Sequence, residues 1–595
     1  MAQQSNLDKS LITYTILSEG SAIEDTAVPT SIRVAKSINK IPYAYIEFED
    51  GSNTDNEAFE IAHSKSLEPG KKITIKSGYE SDEKVVFEGL IIKHQLKIRN
   101  GRSVFLIECK DEALKMTKGR KNEIYLEKKD SDIIAELIKN SGLKAEVSAT
   151  KEVHKEIIQH YISDWDFMML RADINKQVVI VDDGKIAVAE PDSTQSALFD
   201  VTYGTNLFDF DAEMDAKGQY KEVTAIGWDE TKHERVEAKS TASIEVKQGS
   251  ITSDSLSSIL GDGATLLQTS GNMSVADLEN WGQSLLQRSR LAKIKGTATI
   301  IGNADVKPNT VINFEGLSNT FNGAAYISGV YHIIEEGDWK TELQIGLRES
   351  AFAEEMKGIE SPTASGLNAG FHGLQMAIVQ TIHEDPDSNF RVQVIIPSLN
   401  KDNMPIWARL SNFYSTDQAG IFFMPEIGDE VVLGFVNDDP KFPIILGSLY
   451  SSKLPAKYKA VEENEIKSIS TKAGLEIQFD DSKKILSLIM PSGNTVVMDD
   501  DQEKIIITDT KNKNSVELSA DGISINADKD IKLSAGGSIN MEAKSDIVLK
   551  ATGDLNAEGM NVELKGSAKF AAEGAQVEVK GSAMTTIKGG IVQIN

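Results

Sequence analysis

The stretch Ile523-Ser524-Ile525-Asn526-Ala527-Asp528-Lys529-Asp530-Ile531-Lys532-Leu533-Ser534-Ala535-Gly536-Gly537-Ser538-Ile539-Asn540-Met541 repeats one short phrase three times. Two apolar residues flank a polar one, turn-forming residues follow, and the pair returns eight residues later. The phrase continues through Ile547 and Leu549, Leu555 and Ala557, Val562 and Leu564, Phe570 and Ala572, Val577 and Val579, Thr585 and Ile587, and Val592 and Ile594. The step shortens to seven at three places and otherwise holds at eight. Short alternating strands joined by tight turns at a fixed period are the signature of a β-solenoid. An octad is too short to fold back and bury its own pair. It can, however, form one side of a prism whose other two sides come from further copies, with apolar pairs on the axis and every strand edge paired. The trimer-axis residues on this reading are Ile523, Ile525, Ile531, Leu533, Ile539, Met541, Ile547, Leu549, Val562, Leu564, Val577 and Val579.

The surrounding composition agrees. From Thr471 to Asn595 there are 125 residues with two aromatics, Phe479 and Phe570, and one proline, Pro491. A globular domain of that size normally buries several aromatics, so repetitive order is expected instead. Such a rod offers no pocket with converging polar groups, which argues against catalysis within it.

The whole chain has 595 residues, too many for one core, so several domains are expected. Its net charge of −27 repels phosphate backbones and anionic lipid, which argues against nucleic acid as a partner. The single cysteine, Cys109, can form no internal disulfide and supplies too few thiolates for zinc. It lies in the strand-like run Val104 to Cys109 and reads as a buried thiol. Eight histidines are scattered without metal-ligand spacing, and His332 reads as a structural strand residue. The glycine-rich pieces Gly261 to Gly263 and Gly366 to Gly373 lack the Lys and Ser of a phosphate loop. Asp499-Asp500-Asp501 read as solvated turns. No catalytic, cofactor-binding or metal residue is assigned, and no cofactor is expected. The N-terminus carries no basic-then-apolar leader, and no apolar run reaches about 18 residues. Synthesis in the cytoplasm without a signal peptide is therefore expected.

Along the chain, alternating runs from Leu11 to Cys109 predict an antiparallel barrel or sandwich. Helices are expected from Ser131, taken as the cap, to about Gly142; through Asp164 to Ala172; and from Val275 to Ala292 behind Ser274. A hairpin should turn at Asp182-Asp183-Gly184. Residues 355–370 have the composition of a linker, and 371–455 read as another compact β unit.

That unit contains Gly420-Ile421-Phe422-Phe423-Met424-Pro425-Glu426-Ile427-Gly428-Asp429-Glu430-Val431-Val432-Leu433-Gly434-Phe435, followed by Asp438-Asp439-Pro440-Lys441-Phe442-Pro443-Ile444-Ile445-Leu446-Gly447-Ser448-Leu449-Tyr450. The pattern resembles the oligonucleotide/oligosaccharide-binding-type (OB) barrel of the VgrG family, carried by Pro425, Gly428, Asp429, Phe435, Asp439, Pro440, Pro443 and Gly447. Gly428 and Gly434 are expected at sharp bends, with Pro440 and Pro443 where pairing stops. Shorter similarities lie at Asn39 and Ile41 to Ala44, at Glu68-Pro69-Gly70, at Phe87-Glu88-Gly89, at Asp111 to Lys121, at Gln159 to Arg171, and at Gly323 to His332. The resemblance implies a mainly β, multi-domain chain: a tube-like barrel at 1–120, an α+β insertion at 121–215, a second tube-like domain with a helix at 216–354, the linker, the OB-type barrel, and an intertwined triple-stranded β-helix needle at 456–595. It implies a homotrimeric, non-enzymatic spike of a contractile injection system, which adapts a hexameric inner tube to a three-fold needle. The implied partners are the inner-tube protein, baseplate hub proteins, effector cargo, a membrane crossed mechanically, and a PAAR-type tip protein. The tip protein would meet Ile591, Val592, Gln593, Ile594 and Asn595. The particle would be an extracellular, antifeeding-prophage-type assembly or a type VI secretion system. Only 20 residues separate Tyr450 from Thr471, too few for the lysozyme domain of phage puncturing proteins, and a bare spike with no effector domain after the needle is expected. The competing readings are a trimeric tail fibre or adhesin stalk, and a cell-wall hydrolase.

Overall fold

A computed structural model describes residues 11–51, 59–100, 102–241, 244–399 and 404–594. It divides into two compact units, Met1–Leu449 and Tyr450–Asn595. The chain is mostly β.

In the first unit, period-two alternation becomes burial. Along Pro29–Ser37 and Tyr43–Glu49, Ile32, Val34, Ala44, Ile46 and Phe48 face inward and are fully covered. Among the described residues thirteen strands join one sheet. Its main path runs from Leu207–Met214 through Ile294–Ile301, Asp338–Ile345, Gly323–Glu335, Pro29–Ser37, Tyr43–Glu49, Arg102–Lys110, Asp82–Arg99 and Lys72–Tyr79 to Ile12–Ser18. Two cores lie along it, one around Phe48, Phe87 and Phe105 and another around Ile312, Phe314 and Leu343. The antiparallel pair Gly323–Glu335 with Pro29–Ser37 joins them into one body. The strand Leu207–Met214 belongs to this sheet through Ile294–Ile301, not to an insertion ending at residue 215.

Between the two halves, helices Asp130–Asn140 and Asp164–Ile174 enclose a third core around Trp165, Phe167 and Met168. Ser163 caps the second helix by accepting from Asp166 N–H. Ser131 does not cap the first. The helix begins at Asp130, and the Ser131 N–H donates to Thr150 Oγ1 at 3.1 Å. The hairpin Val178–Asp182 with Lys185–Ala189 turns where expected, with Gly184 at φ +81°. Helix Val275–Leu291 starts at Ser274, whose Oγ accepts from Asp277 N–H at 3.0 Å.

Residues 355–370 are not a free tether. Phe352 and Ile359 pack against the third core, and the Arg120 guanidinium donates to the carbonyls of Gly358, Ile359 and Glu360. Five strands then close a barrel: Gln375–Thr381, Val392–Ile395, Ile406–Leu410, Pro443–Ser448 and Glu430–Phe435. Ala377, Val394, Val431, Leu433 and Ile445 fill it.

The second unit departs from expectation at its start. The sequence predicts intertwined strands throughout a needle beginning near residue 456, yet Ile466–Ser470 through Gly522–Asn526 form a seven-stranded antiparallel meander within the chain. The apolar dyads here lie seven to eleven residues apart, and the longer steps leave room for hairpin turns. Ile523 and Ile525 belong to this sheet, opposite Leu518 and Val516. Residues 527–594 contain no strand in the single chain. No described helix is long and apolar enough to cross a membrane.

Candidate functional site

The candidate site is the apolar surface of the second unit. Across the meander, register aligns Ile469, Ile477, Leu488, Val496, Ile507, Val516 and Ile525 in one row. A second row on the same face holds Phe479, Leu486, Met498, Ile505, Leu518 and Ile523. Most of these side chains stay substantially exposed, Phe479 at 43% and Ile507 at 47%. From the sequence the apolar rows are expected to start at Ile523, whereas on this face they begin at Ile469. The signal was the same apolar-x-apolar dyad, present from Ile477 onward at a less regular spacing.

Beyond Asn526 the backbone keeps the octad's rhythm. It bends at 528–529, 536–537, 544–545, 552–553, 560, 567–568, 575–576, 582–583 and 590–591. The steps of seven fall where the apolar pairs also slip. Gly559, Gly566, Gly574, Gly581 and Gly589 recur beside these corners, and a Cβ on Gly566 would lie 2.4 Å from the Lys569 carbonyl oxygen. Ile531, Leu533, Ile539, Met541, Ile547, Leu549, Val562, Leu564, Val577 and Val579 are all 52–73% exposed in the lone chain. One copy thus sets the repeat but buries none of it. Ile591 and Ile594 are 87% exposed at the end, Val592 and Gln593 are exposed too, and Asn595 lies outside the described residues.

The meander's first strands are clamped by the basic segment before them. Glu476, buried despite its charge, accepts from Lys457 Nζ, from Tyr458 Oη at 2.8 Å and from Ser470 Oγ at 3.2 Å. Burial raises its pKa, and these donors outweigh that to hold it below the ordinary value. Asp499 turns the chain by accepting from Gln502 N–H at 2.9 Å, and Asp501 pairs with Lys484 at 2.7 Å.

In the barrel, Gly428 takes φ +93° and its N–H donates to the Val379 carbonyl at 2.9 Å. The Asp429 carboxylate accepts from Glu426 N–H, three residues before it, and that turn carries Pro425. Gly434 is not a bend. It sits within Glu430–Phe435, where a Cβ would meet Leu446 at an ordinary contact of 3.4 Å. The sharp turn follows at Asn437 and Asp438, both left-handed, and the Asp439 carboxylate then accepts from Lys441 N–H just after Pro440. Pro443 opens the next strand opposite Phe435, Gly447 lies opposite Val432, and Phe435 packs on Phe371 at 4.8 Å.

Elsewhere, Cys109 is fully buried with its thiol pKa pushed up by desolvation. His332 is buried with Nδ1 3.0 Å from Thr341 Oγ1. Among the described residues no cluster of His, Cys, Asp or Glu could hold a metal.

Residues 8–336 match the family described as the Alg8 N-terminal domain, and residues 375–450 match the type VI secretion system/phage-baseplate injector OB domain. The chain is 31% identical over 104 residues to the type VI secretion system spike protein VgrG5 of Pseudomonas aeruginosa, covering 16% of this chain and 13% of that relative. The Actin cross-linking toxin VgrG1 of Vibrio cholerae is 31% identical over 87 residues, covering 14% of this chain and 8% of the toxin. The chain thus matches only a small part of these relatives' lengths. A 43 kDa tail protein of prophage MuSo2 from Shewanella oneidensis aligns with a TM-score of 0.45 at 13% identity, covering 57% of this chain and 99% of that one.

Proposed function

The chain belongs to the Alg8 N-terminal-domain family, and we propose that it is a VgrG-type spike protein, three copies of which assemble into the puncturing tip of a phage-tail-like injection particle. The observation that carries this reading is the exposed apolar dyad, repeated in step with backbone bends from residue 528 to 591. Burying one Ile, Leu or Val side chain is worth about 1.5–3 kcal/mol. A lone chain forgoes this at every rung, whereas three chains winding together recover it and pair their strand edges.

In this reading the first unit meets the inner-tube ring and baseplate hub, the barrel leads the chain into the needle, and the last rung seats a small tip-capping protein. Sheath contraction drives the rod mechanically through a target membrane and carries effector cargo with it. No bond is made or broken by the spike, and its negative charge disfavours nucleic acid as a partner. The chain is made in the cytoplasm and reaches its target as part of the particle.

The test replaces the chain by Ile547→Asp in assembled particles. Three carboxylates on a dry axis cannot be solvated or paired. The variant should be absent from particle tips by electron microscopy, and cargo delivery should fall to background. Normal tips with undiminished delivery would overturn the proposal.

A further inference from the structure

Two exposed strand edges of the first unit's large sheet carry opposite charge. At one end, Leu207–Met214 pairs with Ile294–Ile301, and apart from a single bridge between Leu207 and Tyr203 its other edge is free among the described residues. Asp209, Asp211 and Glu213 are exposed on one face of that strand, and among the described residues none has an ion-pair partner. Phe208, 51% exposed, sits at the bulge between Leu207 and Asp209, while Phe210, Ala212 and Met214 pack on the core. The second edge is the outer half of Asp82–Arg99. Residues 82–90 are held by Lys72–Tyr79, but from Lys93 to Arg99 pairing continues, among the described residues, only with Ser103–Glu108 and Arg102. Here Lys93, Lys97, Arg99 and Arg102 lack carboxylate partners among the described residues, and no acidic residue occurs from 89 to 107. Leu96 and Ile98 alternate with these cations and are 45% and 62% exposed.

We propose that the Leu207–Met214 edge of one copy pairs with the Lys93–Arg99 edge of the next, joining the sheets into a closed ring. Carboxylates would meet ammonium and guanidinium groups on one face, with the exposed Phe208, Leu96 and Ile98 lying along the same seam. The two edges differ, so the contact is head-to-tail, the kind that generates rings when the rotation closes. A second copy of this chain fits better than an unrelated anion. Each edge lacks the backbone partner that the other supplies, and each carries the charge that the other needs. The inference rests on the three-copy reading above and adds which strands join.

The test uses full-length chains carrying Asp211→Cys and Lys97→Cys together, treated with a short thiol cross-linker. Cys109 is fully buried and leaves the background clean. Covalent species at two and three times 64.9 kDa should appear with the double variant and with neither single one. A trimer by light scattering that gives no cross-link overturns the edge pairing and leaves the three-copy reading standing; a 64.9 kDa monomer overturns both. Hydrogen exchange on the unaltered chain gives an independent readout. The outward amides of 207–214 and 93–99 should be protected roughly tenfold or more over those of an open edge. Unprotected amides in a trimer would contradict the pairing.

Discussion

His332 stands in the strand Gly323–Glu335, buried beside Trp339 and near Lys36, and desolvation followed by the Lys36 charge pushes its pKa down to about 3. The folded chain keeps this ring neutral, while the unfolded chain protonates it near pH 6.5. Its contribution is intact above pH 6.5 and drains away as pH falls toward 3, at about 1.4 kcal/mol per pH unit. Denaturant unfolding at pH 7 and pH 5 should show a loss of about 2 kcal/mol that His332→Gln removes; equal slopes for the two chains would refute it. Asp130 poses the opposite problem. Burial raises its pKa, but Arg171, Asn175 and His154 hold it below the ordinary value, with Arg171 bidentate at 2.6 and 2.9 Å. Arg171→Ala strands a buried carboxylate and should cost about 3–5 kcal/mol in unfolding free energy. Asp130→Leu combined with Arg171→Leu should cost less than Arg171→Ala alone, and the reverse order would sink this explanation. The pattern placed His332 on a strand, as the structure does, but the burial of Asp130 and His332 was not legible, because it depends on partners such as Arg171 and Lys36 that lie far off in the chain.

At the scale of elements, local chemistry was most legible where one residue type leaves little choice. Ser274 with Asp277 announced a helix start, and Asp182-Asp183-Gly184 announced a hairpin. Ser131 misled because Asp130 is drawn into the helix by Arg171, leaving the serine one position too late to cap. The octads were legible because their period is short and nearly constant. The meander before them was not separated from them, since the same dyads serve both; only the spacing, which admits hairpins from 466 to 526, tells them apart. Corner geometry yields a contrast. At Gly566 and Gly581 a carbonyl oxygen lies 2.4 and 2.6 Å from where a Cβ would stand, whereas Gly536 has nothing within 4 Å. Gly566→Ala should lower the melting of the assembled needle, costing about 1–3 kcal/mol per chain, while Gly536→Ala should change little. Similar melting of the two variants would rule out the corners as the reason for glycine.

For the whole molecule, the mainly β character and a compact β unit at the barrel were legible in the sequence, and the phrase from Pro425 to Gly447 lies within the matched injector OB domain. The joining of both halves into one sheet could not, because the pair Gly323–Glu335 with Pro29–Ser37 spans nearly 300 residues and depends on register rather than local pattern. The anchoring of 355–370 was hidden for a similar reason, since Arg120 reaches it from far upstream. The central claim is self-association through the exposed dyads, and solution mass addresses it most directly. Light scattering after size exclusion should give three times 64.9 kDa, or 194.7 kDa, with elution earlier than a compact protein of that mass. A species of 64.9 kDa with compact elution at micromolar concentration would contradict it, because the apolar rows would then remain in water with nothing to cover them.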